Sequence, residues 1–175
     1  MTRDEAMRVL ATIDDPEMPI SIVDLGIVTE VRAGDAVEVD LTPTFVGCPA
    51  LDYLESKIVR ELMAAGATEA RVRFVNEPVW SIDRISAAGR ESLRQHGVTV
   101  PRRGGCGSGL TLSNETLVPL GRPAGSGGPV GEETVACPFC GSVRTHMESP
   151  FGPTRCRSIF YCDECRNGFE HMKPV

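Results

Sequence analysis

Apolar residues recur with helical spacing in three stretches of the first hundred residues. Near the amino terminus, Thr2 and Glu5 have the spacing of a capping box, and an apolar stripe follows them. A second stripe begins after Cys48-Pro49 and ends before a glycine suited to a helix carboxyl terminus. A third covers residues 83–96. The pattern predicts three helices.

Shorter β-rich runs lie between these helices. Residues 27–32 and 36–41 flank a short turn and are typical of a hairpin, and residues 70–75 form a third run. In the second run, apolar residues alternate with Glu38 and Asp40, so one face should be buried and the other solvated. The order helix, strand, strand, helix, strand, helix predicts an α+β fold, a two-layer α/β domain over a small mixed sheet.

The composition then changes abruptly. Residues 104–131 hold nine of the chain's 18 glycines, and such a stretch buries little apolar surface. We therefore predict an α/β domain at 1–101, a Gly/Pro-rich linker at 102–133 and a small cysteine-rich domain at 134–175.

The charge and hydropathy of the 175-residue chain exclude several classes of function. With a net charge of −6, the chain lacks the excess of basic residues that is typical of nucleic-acid-binding proteins. No apolar run is long enough for a membrane span. The amino terminus is charged and lacks the apolar core of a signal peptide, so a cytoplasmic location is expected. Motifs of hydrolases, nucleotide-binding folds and metalloproteases are absent, and we expect no catalytic residues.

Four of the seven cysteines form two Cys-x-x-Cys knuckles. Cys137 and Cys140 are separated from Cys162 and Cys165 by 21 residues, a spacing close to that of a zinc ribbon. We predict a structural zinc bound by these four thiolates, although one iron or an iron–sulfur cluster would also suit them. Cys156 is interpreted as a spare thiol, since the four knuckle sulfurs complete the ligand shell.

Cys48 stands at the joint between the second strand and the second helix. Because Pro49 suits the first helical position, Cys48 is the expected N-cap, where the helix dipole would favour its thiolate. A buried, inert cysteine is the alternative. Cys106, flanked by glycines, is interpreted as a spare exposed thiol. Glu17 and Asp24 are carboxylates of the first loop, and by themselves they are weak evidence for a functional site.

Two segments of the first domain resemble a known family. Residues 15–28, Asp-Pro-Glu-Met-Pro-Ile-Ser-Ile-Val-Asp-Leu-Gly-Ile-Val, and the Thr-Pro-Thr-Phe-Val-Gly-Cys-Pro segment at 42–49 resemble the signatures of the MIP18-like, SufT-type domain of iron–sulfur assembly proteins. Together with the Cys-Pro-x-Cys-Gly ribbon at 137–141, the chain is similar to the PaaD (PaaJ) family, accessory subunits of phenylacetyl-CoA ring-1,2-epoxidases.

The resemblance implies a maturation factor for the di-iron or iron–sulfur centres of such an oxygenase, in aerobic phenylacetate degradation. It implies that Cys48 is a transient iron or cluster ligand, with Glu17 and Asp24 shaping its pocket. The implied partners are the oxygenase or reductase subunits, and a homodimer is left open. The alternatives are a non-catalytic binding subunit and an iron-containing electron carrier.

Overall fold

The computed structural model describes residues 1–45, 47–102 and 135–173, and within these ranges two β-sheets and four helical segments are present. Along the chain they are α1 (Arg3–Leu10), β1 (Val28–Ala33), β2 (Val37–Leu41), α2 (Leu51–Ala64), β3 (Ala70–Phe74), a 3-10 helix (Ile82–Arg84), α3 (Ala87–Gln95), β4 (Val98–Thr99), β5 (Thr145–Ser149), β6 (Arg157–Cys162) and β7 (Gly168–Met172). None of the described helices is long and apolar enough to cross a membrane.

The first sheet has the strand order β1-β2-β3. β1 and β2 form the expected antiparallel hairpin, and β3 runs parallel to β2 because α2 carries the chain back across the sheet. The predicted α+β fold with a small mixed sheet is confirmed. β3 lies at an edge of the sheet, and Phe74 at its end is exposed.

The helices begin and end close to where the sequence indicated, with two differences. The capping box of α1 is present in both directions. α2 begins at Leu51 with Ala50 as its N-cap, so the prediction that Cys48 caps this helix is wrong. α3 begins at Ala87, capped by the Ser86 hydroxyl, because the segment before it forms the separate 3-10 helix.

The second sheet joins the cysteine-rich segment to the first domain. Its order is β4-β7-β6-β5, and β4 of the first domain pairs in parallel with β7 of the ribbon. Met172 at the end of β7 is buried in the core of the first domain. The sequence did not predict this pairing. The predicted linker lies, apart from Arg102, outside the described residues, as does Cys106.

Asp40 is buried in the sheet, although its place in the alternating pattern predicted a solvated side chain. Arg32 on β1 and Arg73 on β3 each hold its carboxylate with two hydrogen bonds of 2.8–2.9 Å, so the arginines cover it from both neighbouring strands. Hydrogen bonds from Arg32 and Arg73 hold the pKa of Asp40 well below its ordinary value. The ionised form is therefore the one that stabilises the sheet.

We expect Asp40→Asn to lower the free energy of unfolding by about 1–2 kcal/mol at pH 7, because two arginines lose their charged acceptor. Since the pKa of Asp40 is lowered in the folded state, this contribution is present at neutral pH and is lost as the pH falls below about 4. Urea unfolding at both pH values measures the difference. Glu38→Gln, a half-exposed neighbour on β2 that pairs with Arg32, is the control and should cost less than about 0.5 kcal/mol. An equal effect of the two variants would contradict the prediction.

Candidate metal centre and thiol pocket

The two cysteine knuckles have the same backbone geometry. In each, the residue after the second cysteine is in the left-handed region, Gly141 with φ +74° and Arg166 with φ +58°. The backbone N–H of each of these residues donates to the carbonyl of the first cysteine of its knuckle, in both cases at 2.9 Å. The local turn therefore directs both sulfurs of a knuckle towards one point.

The four knuckle sulfurs meet in one cluster. The Sγ atoms of Cys137, Cys140, Cys162 and Cys165 lie within 4.8 Å of one another, and the Cys137–Cys165 and Cys140–Cys162 separations are both 3.6 Å. A tetrahedral zinc with zinc–sulfur bonds of about 2.3 Å requires sulfurs about 3.8 Å apart. The cluster fits a structural zinc ion, as its donor set predicted.

The thiols of this cluster do not ionise alike. The side-chain amide of Asn167 lowers the pKa of Cys165 to about 6. At Cys140 the backbone N–H of Ser142 favours the thiolate, but desolvation and the neighbouring thiols outweigh it and raise the pKa to about 12. Four ionised thiols in contact would repel one another. A bound cation is needed to keep all four as thiolates.

The ribbon has a small apolar core of its own. Among the described residues its buried cluster is limited to five side chains, and two of them are metal-site cysteines: Val135, Cys137, Phe160, Cys162 and Phe169. Burial on this scale offsets little of the entropy of ordering the segment. The ribbon therefore depends on the four-cysteine site and on its contact with the first domain.

Cys48 belongs to a second candidate site. It is one of the residues that line a cavity of about 210 Å³ between the first domain and the ribbon. Glu17 comes from the first loop, Thr44 and Cys48 from the loop before α2, and Thr154 and Cys156 from the ribbon. The sequence placed Glu17 near Cys48 through the family resemblance alone. It did not place Cys156 there, because the two cysteines are 108 positions apart and no local pattern links them.

Cys48 is half-buried, and it does not lie at the N-cap position that the sequence predicted. Burial raises the pKa of its thiol, and the nearby charges of Glu17 and Asp15 act in the same direction. The backbone N–H of Ala50 donates to the sulfur and opposes this effect without overcoming it. The surroundings of Cys48 therefore favour the thiol over the thiolate that the sequence predicted, and a bound cation in place of the proton would reverse this preference.

Asp24 lies outside the set of residues that line this cavity. Its carboxylate accepts hydrogen bonds from the hydroxyls of Ser21 and Ser86, and its carbonyl accepts the backbone N–H of Ser86. Because Ser86 caps α3, Asp24 ties the first loop to the start of that helix. In this structure Asp24 orders the loop that carries Glu17.

A buried arginine holds the ribbon against the wall of the cavity. The Arg157 guanidinium donates to the carbonyl oxygen of Glu17 at 2.8 Å, forms an ion pair with Glu170, and donates to the Thr154 hydroxyl at 2.8 Å. Arg157 is 7% exposed. Sequence reasoning missed this residue, since an arginine beside a knuckle is ordinarily a surface side chain.

Comparison with known protein families matches both parts of the chain. Residues 3–74 match the family model described as iron–sulfur cluster assembly protein, and residues 123–173 match the PaaD zinc beta ribbon domain. The crystal structure of a domain of unknown function, DUF59, from Bacillus anthracis covers 52% of this chain and 90% of its own, with 28% identity and a TM-score of 0.50.

Two relatives differ in how much of the chain they cover. A protein of Escherichia coli (strain K12), named as a subunit of 1,2-phenylacetyl-CoA epoxidase, is 32% identical over 173 residues, which are 98% of this chain and 92% of that protein. A Porphyromonas gingivalis (strain ATCC BAA-308 / W83) protein named as an Fe-S protein maturation auxiliary factor is 31% identical over 88 residues, 49% of this chain and 84% of its own length.

Proposed function

Because the chain belongs to the PaaD family of 1,2-phenylacetyl-CoA epoxidase subunits, we propose that it is an accessory protein that loads iron or iron–sulfur centres into an oxygenase of this type. Its clients would be the di-iron oxygenase subunit or the iron–sulfur reductase subunit of a phenylacetyl-CoA epoxidase. The similarity extends over both domains, and one of the two matched families is named for iron–sulfur assembly. That combination favours maturation over catalysis of the epoxidation itself.

The observation that carries this proposal is the position of Cys48. Cys48 lines a cavity together with Glu17, and the helix that follows it is capped by another residue. A thiol and a carboxylate at an accessible cavity are ligands that iron accepts. Iron is the cargo here. On binding, the Cys48 sulfur would exchange its proton for the metal, and ligand exchange with client residues would pass the metal on without a change of oxidation state.

The four-cysteine cluster has a separate task in this proposal. Cys137, Cys140, Cys162 and Cys165 would hold a resident zinc, which has no redox chemistry and whose contribution is to cross-link the two knuckles. We propose the division into an assembly domain at 1–101, a linker at 102–133 and a ribbon at 134–175. In this arrangement the ribbon completes the cavity at Cys48 and offers a surface for the client.

Cys48→Ser tests the proposal in cells that express the epoxidase subunits together with this protein. We expect the iron content of the purified oxygenase and reductase subunits, and epoxidase activity, to fall by about tenfold or more, because serine is a poor ligand for transferable iron. The measurements are metal analysis of each subunit and turnover of phenylacetyl-CoA.

Cys106→Ser is the matched control, since it removes a thiol that the proposal does not use, and it should leave client iron unchanged. Full iron content and activity with Cys48→Ser would overturn the maturation role and favour a binding subunit. Iron in the purified wild-type protein that depends on Cys162 would instead favour an electron carrier.

A further inference from the structure

We propose that Cys156 of the ribbon is the second thiolate ligand of the iron site at Cys48, so that the site is complete only when the ribbon is docked. This inference rests on the proposed function, in which Cys48 takes up iron. It changes the interpretation of Cys156 from a spare thiol to part of a site built from both domains.

Cys156 has no place in the four-cysteine cluster. The zinc site uses the two knuckles, and all four of its sulfurs come from them. Cys156 directly precedes β6, is 8% exposed and lines the cavity that Cys48 lines from the other side. Burial is the main cause that raises the pKa of the Cys48 thiol, and Cys156 is among the nearby groups that add to this effect. The two cysteines therefore share one cavity, one from the first domain and one from the ribbon.

The segment that carries Cys156 is ordered by hydrogen bonds to its surroundings. The Cys156 carbonyl accepts the backbone N–H of Lys173 at 2.9 Å, which ties it to the end of β7. The Gly152 backbone N–H donates to the Arg157 carbonyl at 3.0 Å and closes the loop before β6. The Thr154 hydroxyl lies 3.2 Å from the Cys156 sulfur. These contacts fix the sulfur at the cavity rather than leaving it on a mobile loop.

Arg157, the residue next to Cys156, is hydrogen-bonded to Glu17, the residue that would supply the carboxylate. Arg157 donates to the Glu17 carbonyl at 2.8 Å, and Glu17 is one of the residues that line the cavity. One buried guanidinium thus couples the ribbon, through Cys156, to the loop of the first domain that faces Cys48. Loss of ribbon docking would separate the two halves of the site.

The donor set of the cavity is chemically consistent with iron. Two cysteines and one glutamate line it from three segments of the chain, and the hydroxyl-bearing residues Thr44 and Thr154 line it as well. Thiolates favour iron, zinc and iron–sulfur clusters over hard cations such as magnesium. With all three acids ionised the site carries three negative charges, which the exposed Arg155 at the same cavity balances only in part. A bound cation would balance the remainder.

Anaerobic titration of the full-length, zinc-loaded protein with iron(II) tests the inference. Binding is followed by thiolate-to-iron absorption and by iron per chain after desalting. The wild-type protein should take up iron in addition to its zinc. Cys156→Ser and Cys156→Ala should each weaken iron binding by about tenfold or more, since even outer-shell changes cost about 10–100-fold in metal affinity. Zinc content and the melting temperature verify that each variant is folded.

Two further variants, Cys48→Ser and Cys106→Ser, distinguish a failure of this inference from a failure of the proposed function. Loss of iron binding with Cys48→Ser, together with wild-type binding by folded Cys156 variants, would overturn this inference and leave the proposed function standing. A reduced wild-type protein that binds no iron would overturn both. Cys106→Ser should bind iron as the wild type does, and a loss there equal to that of Cys156→Ser would contradict the assignment of Cys156.

Discussion

Replacing Cys162 by serine is expected to release the ribbon metal and unfold the ribbon. Cys162 is fully buried, and its Sγ lies 3.6 Å from that of Cys140. A structural zinc contributes about 10–16 kcal/mol of folding free energy in small zinc domains at neutral pH, which far exceeds what the five-residue ribbon core supplies. We expect zinc to fall from one to about zero per chain.

The effect should reach the first domain as well. β7 pairs with β4, and Met172 is 1% exposed within the first domain's core. Unfolding the ribbon would remove both contacts, so the melting temperature of the remaining domain should also fall. Metal analysis and a thermal melt followed by circular dichroism measure the two effects.

Cys156→Ser is the matched control for the ribbon metal, because it changes a buried ribbon cysteine that does not belong to the four-sulfur cluster. It should keep its zinc. Retention of zinc by Cys162→Ser would contradict the four-cysteine site. Iron in place of zinc, with visible absorption that Cys162→Ser abolishes, would contradict a structural role for this centre.

Trp80→Ala should lower the free energy of unfolding by about 3–5 kcal/mol, the cost of removing a large aromatic side chain from a core. Trp80 is 1% exposed, and its indole N–H donates to the carbonyl of Leu25 at 3.0 Å. The substitution would leave a cavity and a buried carbonyl without its donor. Because Leu25 lies in the loop that also carries Glu17, the change should loosen one wall of the Cys48 cavity.

Urea unfolding followed by circular dichroism measures this prediction, since Trp80 is the chain's one tryptophan and its fluorescence is lost in the variant. Val79→Ala, a neighbouring residue that is 76% exposed, is the control and should change stability by less than about 0.5 kcal/mol. A loss below about 1 kcal/mol for Trp80→Ala would contradict the core assignment.

Local patterns accounted for most of the first domain. The capping box at Thr2, the hairpin and the stripe of α2 all depend on residues within a few positions of one another, and all are present. Boundaries were less accurate: α2 begins at Leu51 because the Cys48-Pro49 segment forms a turn before the helix. Because Ala50 rather than Cys48 is the N-cap, the argument that the helix dipole activates the Cys48 thiolate no longer holds.

The alternating pattern predicted a solvated Asp40 side chain, and the reason that it is buried is non-local. Its solvent face is covered by Arg73, 33 residues later, and by Arg32 on the other neighbouring strand. Which side chains flank a strand depends on the strand order and register. Neither is contained in the local alternation of apolar and polar residues.

The sequence by itself determined the four-cysteine site, because each knuckle is a local turn and the donor chemistry is intrinsic to the residues. It also determined, through the family resemblance, that Cys48 and Glu17 belong to one region. Only the tertiary structure brought Cys156 to that region, through the β4–β7 pairing and the Arg157–Glu17 hydrogen bond, whose residues are 140 positions apart. Contacts at that separation depend on how two folded surfaces fit, and no short stretch of sequence encodes that fit.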